Sequence, residues 1–129
     1  MSAPVVEVVA AVIERDGKVL IARRRAGTHL AGLWEFPGGK REPGETLEEA
    51  LGRELVEELA TPGIVGELIE TVKWSYPDKR VQLHFFRCNL KEEPRPLEGQ
   101  EIAWVARADL PRYEFPAADA ALIERLRRE

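Results

Sequence analysis

Cysteine and long apolar runs are both nearly absent from this chain of 129 residues. Its one cysteine, Cys88, excludes an internal disulfide and a zinc site built from several cysteines. The apolar stretch near the N-terminus is interrupted by Glu7 and Glu14, and no basic segment precedes it. Because a membrane-spanning helix needs about 20 apolar residues, we expect neither a membrane span nor a signal peptide. The expected location is the cytoplasm.

An excess of positive charge is also missing. Lys and Arg number 19 against 23 Asp and Glu, so the formal net charge is −4. This balance argues against a nucleic-acid polymer as partner, because such binding depends on clustered Lys and Arg. An acidic protein can still bind a nucleotide if metal ions supply the positive charge. The length predicts a single domain over residues 1–129.

Strand patterns surround one long helical pattern. Val5 to Ile13 predicts a strand buried on both faces, and Asp16-Gly17 predicts a hairpin into a strand from Lys18 to Ala22. The other expected elements are a loop at 28–37, strands at 66–75, 81–89 and 101–105, a loop at 91–99, and a last helix opening at Phe115-Pro116. His84, alone on its strand, is interpreted as structural. These elements predict an α/β fold with helices packed on a mixed sheet.

The central helix is predicted from its cap and its apolar stripe. Thr46 and Glu49 have the spacing of a capping box, and the turn signal Pro43-Gly44 precedes them. The helix should therefore start at about Leu47. Its stripe consists of Leu47, Ala50, Leu51, Leu55 and Leu59.

Three carboxylates crowd the polar face of this helix. Glu54, Glu57 and Glu58 stand at i, i+3 and i+4, and like charges at i, i+4 cost roughly 0.2–0.5 kcal/mol per pair. Arg53 is the one basic residue of the helix and offsets only part of this repulsion. Mg²⁺ or Mn²⁺ would offset it better, because hard cations prefer carboxylate oxygen. The spacing alone leaves two interpretations open, a solvated acidic face and a divalent-metal site.

The residues before the helix favour the metal site. Gly39 is followed after five residues by Glu45, and after seven more by Arg53-Glu54-Leu55-x-Glu57-Glu58. This pattern resembles the signature of the Nudix hydrolases at every charged position. Ala60-Thr61 stands where that signature ends in glycine and an aliphatic residue, so the departure concerns the helix end. The resemblance implies an α/β/α sandwich with a mixed sheet, and a hydrolase that acts on a nucleoside triphosphate.

Segments 22–24, 33–40, 98–100 and 115–119 are similar to the MutT branch of the family, which converts oxidised deoxyguanosine triphosphate to the monophosphate and pyrophosphate. The resemblance implies that Glu54 deprotonates the attacking water and that Arg53 serves in positioning. The implied ligands of Mg²⁺ or Mn²⁺ are the Gly38 carbonyl, Glu54, Glu57, Glu58 and Glu98. The implied nucleotide contacts are Arg23, His29, Phe36 and Asp119. The implied structural positions are Gly39 and Glu45.

Asp119 is the main departure from MutT, which carries asparagine there. An ionised carboxylate accepts hydrogen bonds only, and it would suit the amino group of cytosine. A protonated one could also donate to oxidised guanine. A cytidine-triphosphate pyrophosphohydrolase branch is similar too, over residues 8–24 and in the Pro-Ala-x-Asp motif. The alternative is an acid that only stabilises the start of the last helix.

A protein of another class would carry the same fold without catalysis. Such a nucleotide-sensing module is expected to lose carboxylates of the signature, and none is missing here. Dinucleoside polyphosphates and nucleotide sugars remain alternative substrates, although the short loops favour a small one. The composition fits a monomer or a homodimer.

Overall fold

The computed structural model describes residues 4–27 and 31–129. Within these ranges the chain forms seven strands, two α-helices and two 3-10 helices. The strands are β1 Val5–Arg15, β2 Lys18–Arg23, β3 Trp34–Glu35, β4 Gly38–Lys40, β5 Gly63–Tyr76, β6 Lys79–Leu90 and β7 Glu101–Ala106. The α-helices are α1 Leu47–Leu59 and α2 Ala120–Arg128. The 3-10 helices are Arg107–Arg112 and Ala117–Asp119.

Strand β1 lies at the centre of the sheet. It pairs in parallel with β6 and antiparallel with β4 and with the start of β2. Strand β5 pairs antiparallel with β6, and β2 also pairs antiparallel with β3 and β7. The predicted mixed sheet is therefore confirmed. Because β1 has strands on both edges and helices over both faces, its residues from Val9 to Ile13 are buried as the sequence predicted. The start of the strand differs from the prediction, because Val5 is 53% exposed and residues 6–8 are only partly buried.

The hairpin between β1 and β2 forms where the sequence predicted it. Asp16 has φ 53° and Gly17 has φ 77°. Positive φ at both central residues is the geometry of a type I′ turn, which matches the twist of the two strands it joins. The hairpin brings β2, and the arginines that follow it, alongside the helix signature.

Two short strands and one helix start differ from the expectation. Residues 28–37 were expected to be a loop, yet Trp34–Glu35 forms β3 against β2 and Gly38–Lys40 forms β4 against β1. Strands of two and three residues carry no periodicity, and they form because β1 and β2 offer open edges. The last α-helix begins at Ala120 rather than at Phe115-Pro116, because a 3-10 turn precedes it.

Two apolar clusters form the two layers around the sheet. The buried leucines of α1 pack on Val9, Ala11 and Phe86 on one face. The buried leucines of α2, Leu122 and Leu126, pack with residues such as Phe85 on the other face. This helix–sheet–helix arrangement confirms the predicted α/β/α sandwich. No helix in the described ranges is long and apolar enough to cross a membrane.

Candidate active site

The capping box sets the start of α1. The Thr46 hydroxyl accepts a hydrogen bond from the Glu49 amide at 3.0 Å, and the Glu49 carboxylate accepts one from the Thr46 amide at 2.8 Å. These two bonds satisfy amides that have no partner within the helix. The helix starts at Leu47 as predicted, so the charged residues of the signature have a defined orientation from there onward.

The end of α1 accommodates the unusual Ala60-Thr61 pair. Ala60 is the C-cap and adopts the left-handed conformation with φ 60°, which glycine adopts at lower cost. Thr61 is fully buried, and its hydroxyl accepts a hydrogen bond from the Glu92 amide at 3.0 Å. Thr61 thus anchors the segment after β6. Ala60 still ends the helix with a left-handed residue, at the cost of some backbone strain.

Arg53 connects α1 to the segments before it. Its guanidinium donates two hydrogen bonds to the Glu45 carboxylate, at 2.7 and 2.9 Å, and one to the Lys40 carbonyl at 3.0 Å. It also donates to Glu54 at 2.9 Å and to Glu57 at 3.3 Å. The hydrogen bonds from Arg53 lower the pKa of Glu45 to about 2, and those to Glu45 raise the pKa of Arg53. Glu45, predicted as a structural residue, thus fixes the Arg53 guanidinium through a bidentate ion pair.

Glu54 lies against the backbone of β4. A Cβ atom at Gly39 would stand 2.4 Å from the Glu54 carboxyl carbon, so the glycine leaves the room that this carboxylate occupies. The side chain of Glu54 is only 15% exposed. Burial raises its pKa, and the hydrogen bond from Arg53 opposes that shift. Glu54 is therefore a half-desolvated carboxylate held in one place.

Glu58 is the most buried carboxylate of the helix, at 9% exposure. It accepts a hydrogen bond from the Gly38 amide at 2.8 Å. Burial, and then the charge of Glu35, raise its pKa to about 8. This hydrogen bond holds Glu58 at Gly38, the residue whose carbonyl the resemblance assigns to the metal site.

The loop before β7 is attached to the end of α1. The Leu97 amide donates to the Glu58 carbonyl at 3.0 Å, and the Gln100 side chain donates to the same oxygen at 3.2 Å. Glu98 lies between these two residues, and its charge contributes to the raised pKa values of Glu54 and Glu58. The two attachments therefore bring the predicted Glu98 to the helix carboxylates.

The predicted ligands are all oxygen atoms, which are the ligands that a hard divalent cation prefers. The carboxylates of Glu54 and Glu58 lie against two neighbouring residues of β4, Gly39 and Gly38, and both carboxyl pKa values are raised. Among residues 4–27 and 31–129, however, no three His, Cys, Asp or Glu side chains are grouped closely enough to form a finished metal site. Mutual repulsion of carboxylates favours such separation, and a cation would reverse it.

A cavity of about 310 Å³ adjoins Gly38 and Gly39. Its lining includes the predicted Phe36 and Asp119. Phe36 stacks on Phe115 at a centroid distance of 5.4 Å, so this part of the wall is aromatic and rigid. The cavity is thus next to the helix carboxylates and large enough to be considered for a nucleobase.

Asp119 is buried in the wall of this cavity, with 6% exposure. It precedes α2, yet its side chain makes no capping hydrogen bond to that helix. Burial, and then the charge of Glu35, raise its pKa to about 7. Asp119 therefore lines the cavity without capping α2, and stabilisation of the helix start through the helix dipole stays the alternative interpretation.

Two further cavity residues were not singled out from the sequence. Arg24 and Glu35 both line the cavity and form an ion pair at 2.7 Å. The sequence places Arg23, Arg24 and Arg25 side by side and does not indicate which of them lines the cavity. Because Arg24 follows the last residue of β2, strand alternation does not indicate it either. Arg23 instead bonds the Gly32 carbonyl and Glu101, and it is not part of the lining.

The remaining predicted site residues are His29 and Glu57. His29 falls outside the described residues. Glu57 is half exposed, and it contacts Arg53 rather than the buried carboxylates. The predicted ligand positions therefore range from buried to half exposed.

Comparisons with known proteins show the family to which this fold belongs. The family model described as "NUDIX domain" matches residues 8–125. A CTP pyrophosphohydrolase of Escherichia coli is 40% identical over 120 residues, which cover 92% of this chain and 89% of that protein. An 8-oxo-dGTP diphosphatase of Haemophilus influenzae is 39% identical and covers 100% of this chain and 96% of that protein.

A solved structure, the MutT protein from Methanosarcina mazei Go1, superposes with a TM-score of 0.88 at 28% identity, covering 99% of this chain and 96% of that one. The sandwich with its carboxylate-bearing helix defines a class of hydrolases. The chain belongs to the NUDIX domain family and is a Nudix hydrolase of the MutT-like type. The resemblance stated from the signature is confirmed.

Proposed function

We propose that this protein is a Mg²⁺-dependent pyrophosphohydrolase that converts 8-oxo-dGTP to 8-oxo-dGMP and pyrophosphate. The observation that carries the proposal is the position of the Arg53-held Glu54 beside Gly39, at the edge of a cavity whose wall holds the buried Asp119. Within one cleft, Glu54 can accept a proton from water and Asp119 can form hydrogen bonds with a nucleobase. Removal of oxidised nucleotides protects DNA from their incorporation.

Glu54 is the proposed general base. Its raised pKa brings it closer to neutrality, where a carboxylate accepts a proton from water more effectively. Arg53 keeps the carboxylate oriented by its hydrogen bond and is itself held by Glu45. Gly39 leaves the space for Glu54. These contacts let one carboxylate take up the proton at a defined position.

The proposed holders of Mg²⁺ or Mn²⁺ are the Gly38 carbonyl, Glu54, Glu57, Glu58 and Glu98. When bound, the ion would neutralise phosphate charge and lower the pKa of a coordinated water. Glu58 is kept towards β4 by the Gly38 amide, and the loop containing Glu98 is kept at the end of α1 by Leu97 and Gln100. A triphosphate adds about four negative charges to an acidic cleft, so neutralisation is required for its binding.

Asp119 is the proposed selector of the base. With its pKa near 7, the carboxyl is close to half protonated at neutral pH. The protonated form can donate to O6 of 8-oxoguanine while its other oxygen accepts from N7–H. The ion pair of Arg24 and Glu35 borders the same cavity and contributes further polar groups.

A second candidate substrate is CTP or dCTP. The ionised form of Asp119 accepts from the amino group of cytosine, and a relative at 40% identity carries the name CTP pyrophosphohydrolase. Both candidate substrates would bind at the same site. Protonated Asp119 would favour 8-oxo-dGTP, and ionised Asp119 would favour CTP or dCTP.

The remaining proposals concern the whole protein. We infer a single domain over residues 1–129 that acts in the cytoplasm, where nucleotide pools are used, as a monomer or a homodimer. Arg23 and His29 are retained as proposed nucleotide contacts. The formal charge of −4 supports a small substrate rather than a nucleic-acid polymer.

The test is a pyrophosphate-release assay with Mg²⁺ that compares 8-oxo-dGTP, dGTP, CTP, dCTP and ATP by kcat/KM. A preference for 8-oxo-dGTP over dGTP is the expected result. A preference for the cytosine nucleotides would select the second candidate. Binding without turnover on all five would favour the sensing module, and a survey of nucleotide sugars and dinucleoside polyphosphates would follow.

A further inference from the structure

An ion pair outside the signature ties the start of β1 to the segment after β4. The Arg41 guanidinium donates to the Glu7 carboxylate at 2.8 Å, and the Arg41 amide donates to the Glu7 carbonyl at 2.9 Å. Both side chains are 32% exposed, so solvent screens this pair less than it screens a fully exposed one. The pair thus joins two backbone segments through both main chain and side chain.

The other end of the Arg41 guanidinium reaches the signature itself. It donates to the Glu45 carbonyl at 3.0 Å, immediately before the start of α1. Between the two residues lies a tight turn, in which Gly44 has φ 85° and the Glu45 amide bonds the Glu42 carbonyl at 3.2 Å. The turn is mostly exposed, so Arg41 is its side-chain attachment to the sheet.

Glu7 is itself confined on its other side. Its second carboxylate oxygen lies 3.5 Å from Nε2 of His84, which is only 6% exposed. That nitrogen has no hydrogen-bond partner among the described residues, while Nδ1 of the ring is 3.4 Å from the Thr71 hydroxyl. A buried ring with one unsatisfied nitrogen facing Glu7 favours an inward carboxylate over one that swings into solvent.

We propose that Glu7 and Arg41 are positioning residues for the catalytic pair. They hold the backbone at Glu45, whose carboxylate clamps Arg53, and Arg53 in turn orients Glu54. The inference rests on the proposed function, because it assigns these residues to the geometry of the same site. Small displacements of a catalytic base can cost about 100-fold in rate. Loss of the Glu7–Arg41 ion pair should therefore lower kcat measurably, although neither residue contacts Glu54.

The first test is a kinetic double-mutant cycle with Arg41→Gln and Glu45→Gln. Arg41→Gln should lower kcat by about 10-fold or more with a small change in KM, since substrate binding groups are untouched. In the Glu45→Gln background the same change should have little further effect, because the path through Glu45 is already broken. Additive losses in the cycle would contradict the inference. Arg15→Gln, which removes another ion pair of β1, is the matched control and should retain wild-type kcat.

The second test does not depend on turnover. The Nε–H of Arg53 is bonded to Glu45 at 2.7 Å, so its NMR signal should exchange slowly with water. Arg41→Gln and Glu7→Gln should each accelerate this exchange, whereas Arg15→Gln should not. Unchanged exchange together with unchanged kcat would overturn the inference. If wild-type protein turned over none of the nucleotides, the proposed function would fail, and the exchange measurement would still decide whether Glu7 and Arg41 hold Arg53.

Discussion

Glu54 and Glu58 are one turn apart on the same helix, yet the tertiary structure gives them different surroundings. Glu54 is bonded to Arg53, which opposes the effect of burial on its pKa. Glu58 accepts a hydrogen bond from the Gly38 amide, which opposes the shift, but burial and then the charge of Glu35 raise its pKa to about 8. Two residues of the same type on one helix face therefore have different electrostatic environments.

Replacing the proposed base tests its assignment. Glu54→Gln keeps the shape of the side chain and removes its proton acceptor, so kcat should fall by about 10²–10⁴-fold with KM nearly unchanged. Pyrophosphate release under saturating substrate measures this loss. Glu48→Gln is the control, because Glu48 is an exposed acid in the first turn of the same helix. Near-normal turnover by Glu54→Gln would reject the assignment.

The proton on Asp119 predicts a pH-dependent choice of base. Its pKa of about 7 means that the protonated fraction falls about tenfold between pH 6 and pH 8. The ratio of kcat/KM for 8-oxo-dGTP to that for CTP should therefore decrease as pH rises through this window. In Asp119→Asn the ratio should lose this dependence, while Asp109→Asn, a change in the 3-10 helix before Tyr113, should keep it. A ratio with the same pH profile in Asp119→Asn would remove Asp119 from base selection.

At the scale of the elements, the short strand β4 determines where α1 can place its carboxylates. A Cβ atom at Gly38 would lie 1.9 Å from the backbone oxygen of Val9, whereas the atoms nearest to one at Gly39 would be those of the Glu54 carboxylate. The first glycine therefore permits the pairing with β1, and the second permits the position of the base. Sequence spacing shows both glycines but does not distinguish these reasons.

Gly39→Ala should separate activity from stability. The added methyl group displaces the Glu54 carboxylate, so we expect kcat to fall about 10- to 100-fold with little change in urea denaturation. Gly52→Ala is the matched control, since nothing lies within 4 Å of a Cβ atom there. It should leave kcat unchanged and stabilise α1 by about 0.5–1 kcal/mol. Equal kinetic effects of the two changes would contradict the packing argument.

The end of α1 predicts a stabilising substitution. Ala60 has φ 60°, a conformation that costs an L-residue about 1–2 kcal/mol and glycine very little. Ala60→Gly should therefore raise the free energy of unfolding by about 0.5–1 kcal/mol, after the greater entropy of unfolded glycine is included. The same change at Ala121, an exposed position within α2, should lower it by about 1 kcal/mol. Destabilisation by Ala60→Gly in urea titrations would show that the left-handed cap is not strained.

At the scale of the whole molecule, an acidic protein is proposed to bind a polyanion. The net charge of −4 and the carboxylates Glu54, Glu57 and Glu58 crowded on one face of α1 both disfavour a triphosphate without a counter-charge. Divalent cations are the natural counter-charge, because they bridge carboxylate and phosphate oxygens. Folding, metal binding and substrate binding should therefore be thermodynamically linked.

Removal of divalent cations tests this linkage. Excess EDTA should abolish turnover, and added Mg²⁺ should restore it. Without substrate, Mg²⁺ at 100 times its Kd should stabilise the fold by about 2.7 kcal/mol and raise Tm accordingly. Glu58→Gln should lose most of that Tm increase, while Glu48→Gln should retain it. NaCl at equal ionic strength is the control for screening, and turnover that persists in EDTA would remove the metal from the proposal.

Much of the fold and the charged part of the site could be predicted from the sequence. The buried strand β1, the type I′ hairpin and the capped helix α1 each depend on local patterns, and each lies where it was expected. The strands β3 and β4 could not be predicted, because their pairing depends on edges supplied by distant residues. The position of Arg24, rather than Arg23, in the cavity wall depends on tertiary contacts in the same way.

The sequence by itself determined which groups share the catalytic face, because residues at i, i+3 and i+4 of a helix are neighbours whatever surrounds them. The tertiary structure alone decided how those groups behave. It buries Glu58 against Gly38, places Glu54 on Gly39, and leaves Glu57 half exposed. It also brings Glu7, from the first strand, to the turn that supports Arg53. Burial and long-range contacts set pKa values and orientation, and neither can be deduced from spacing along one helix.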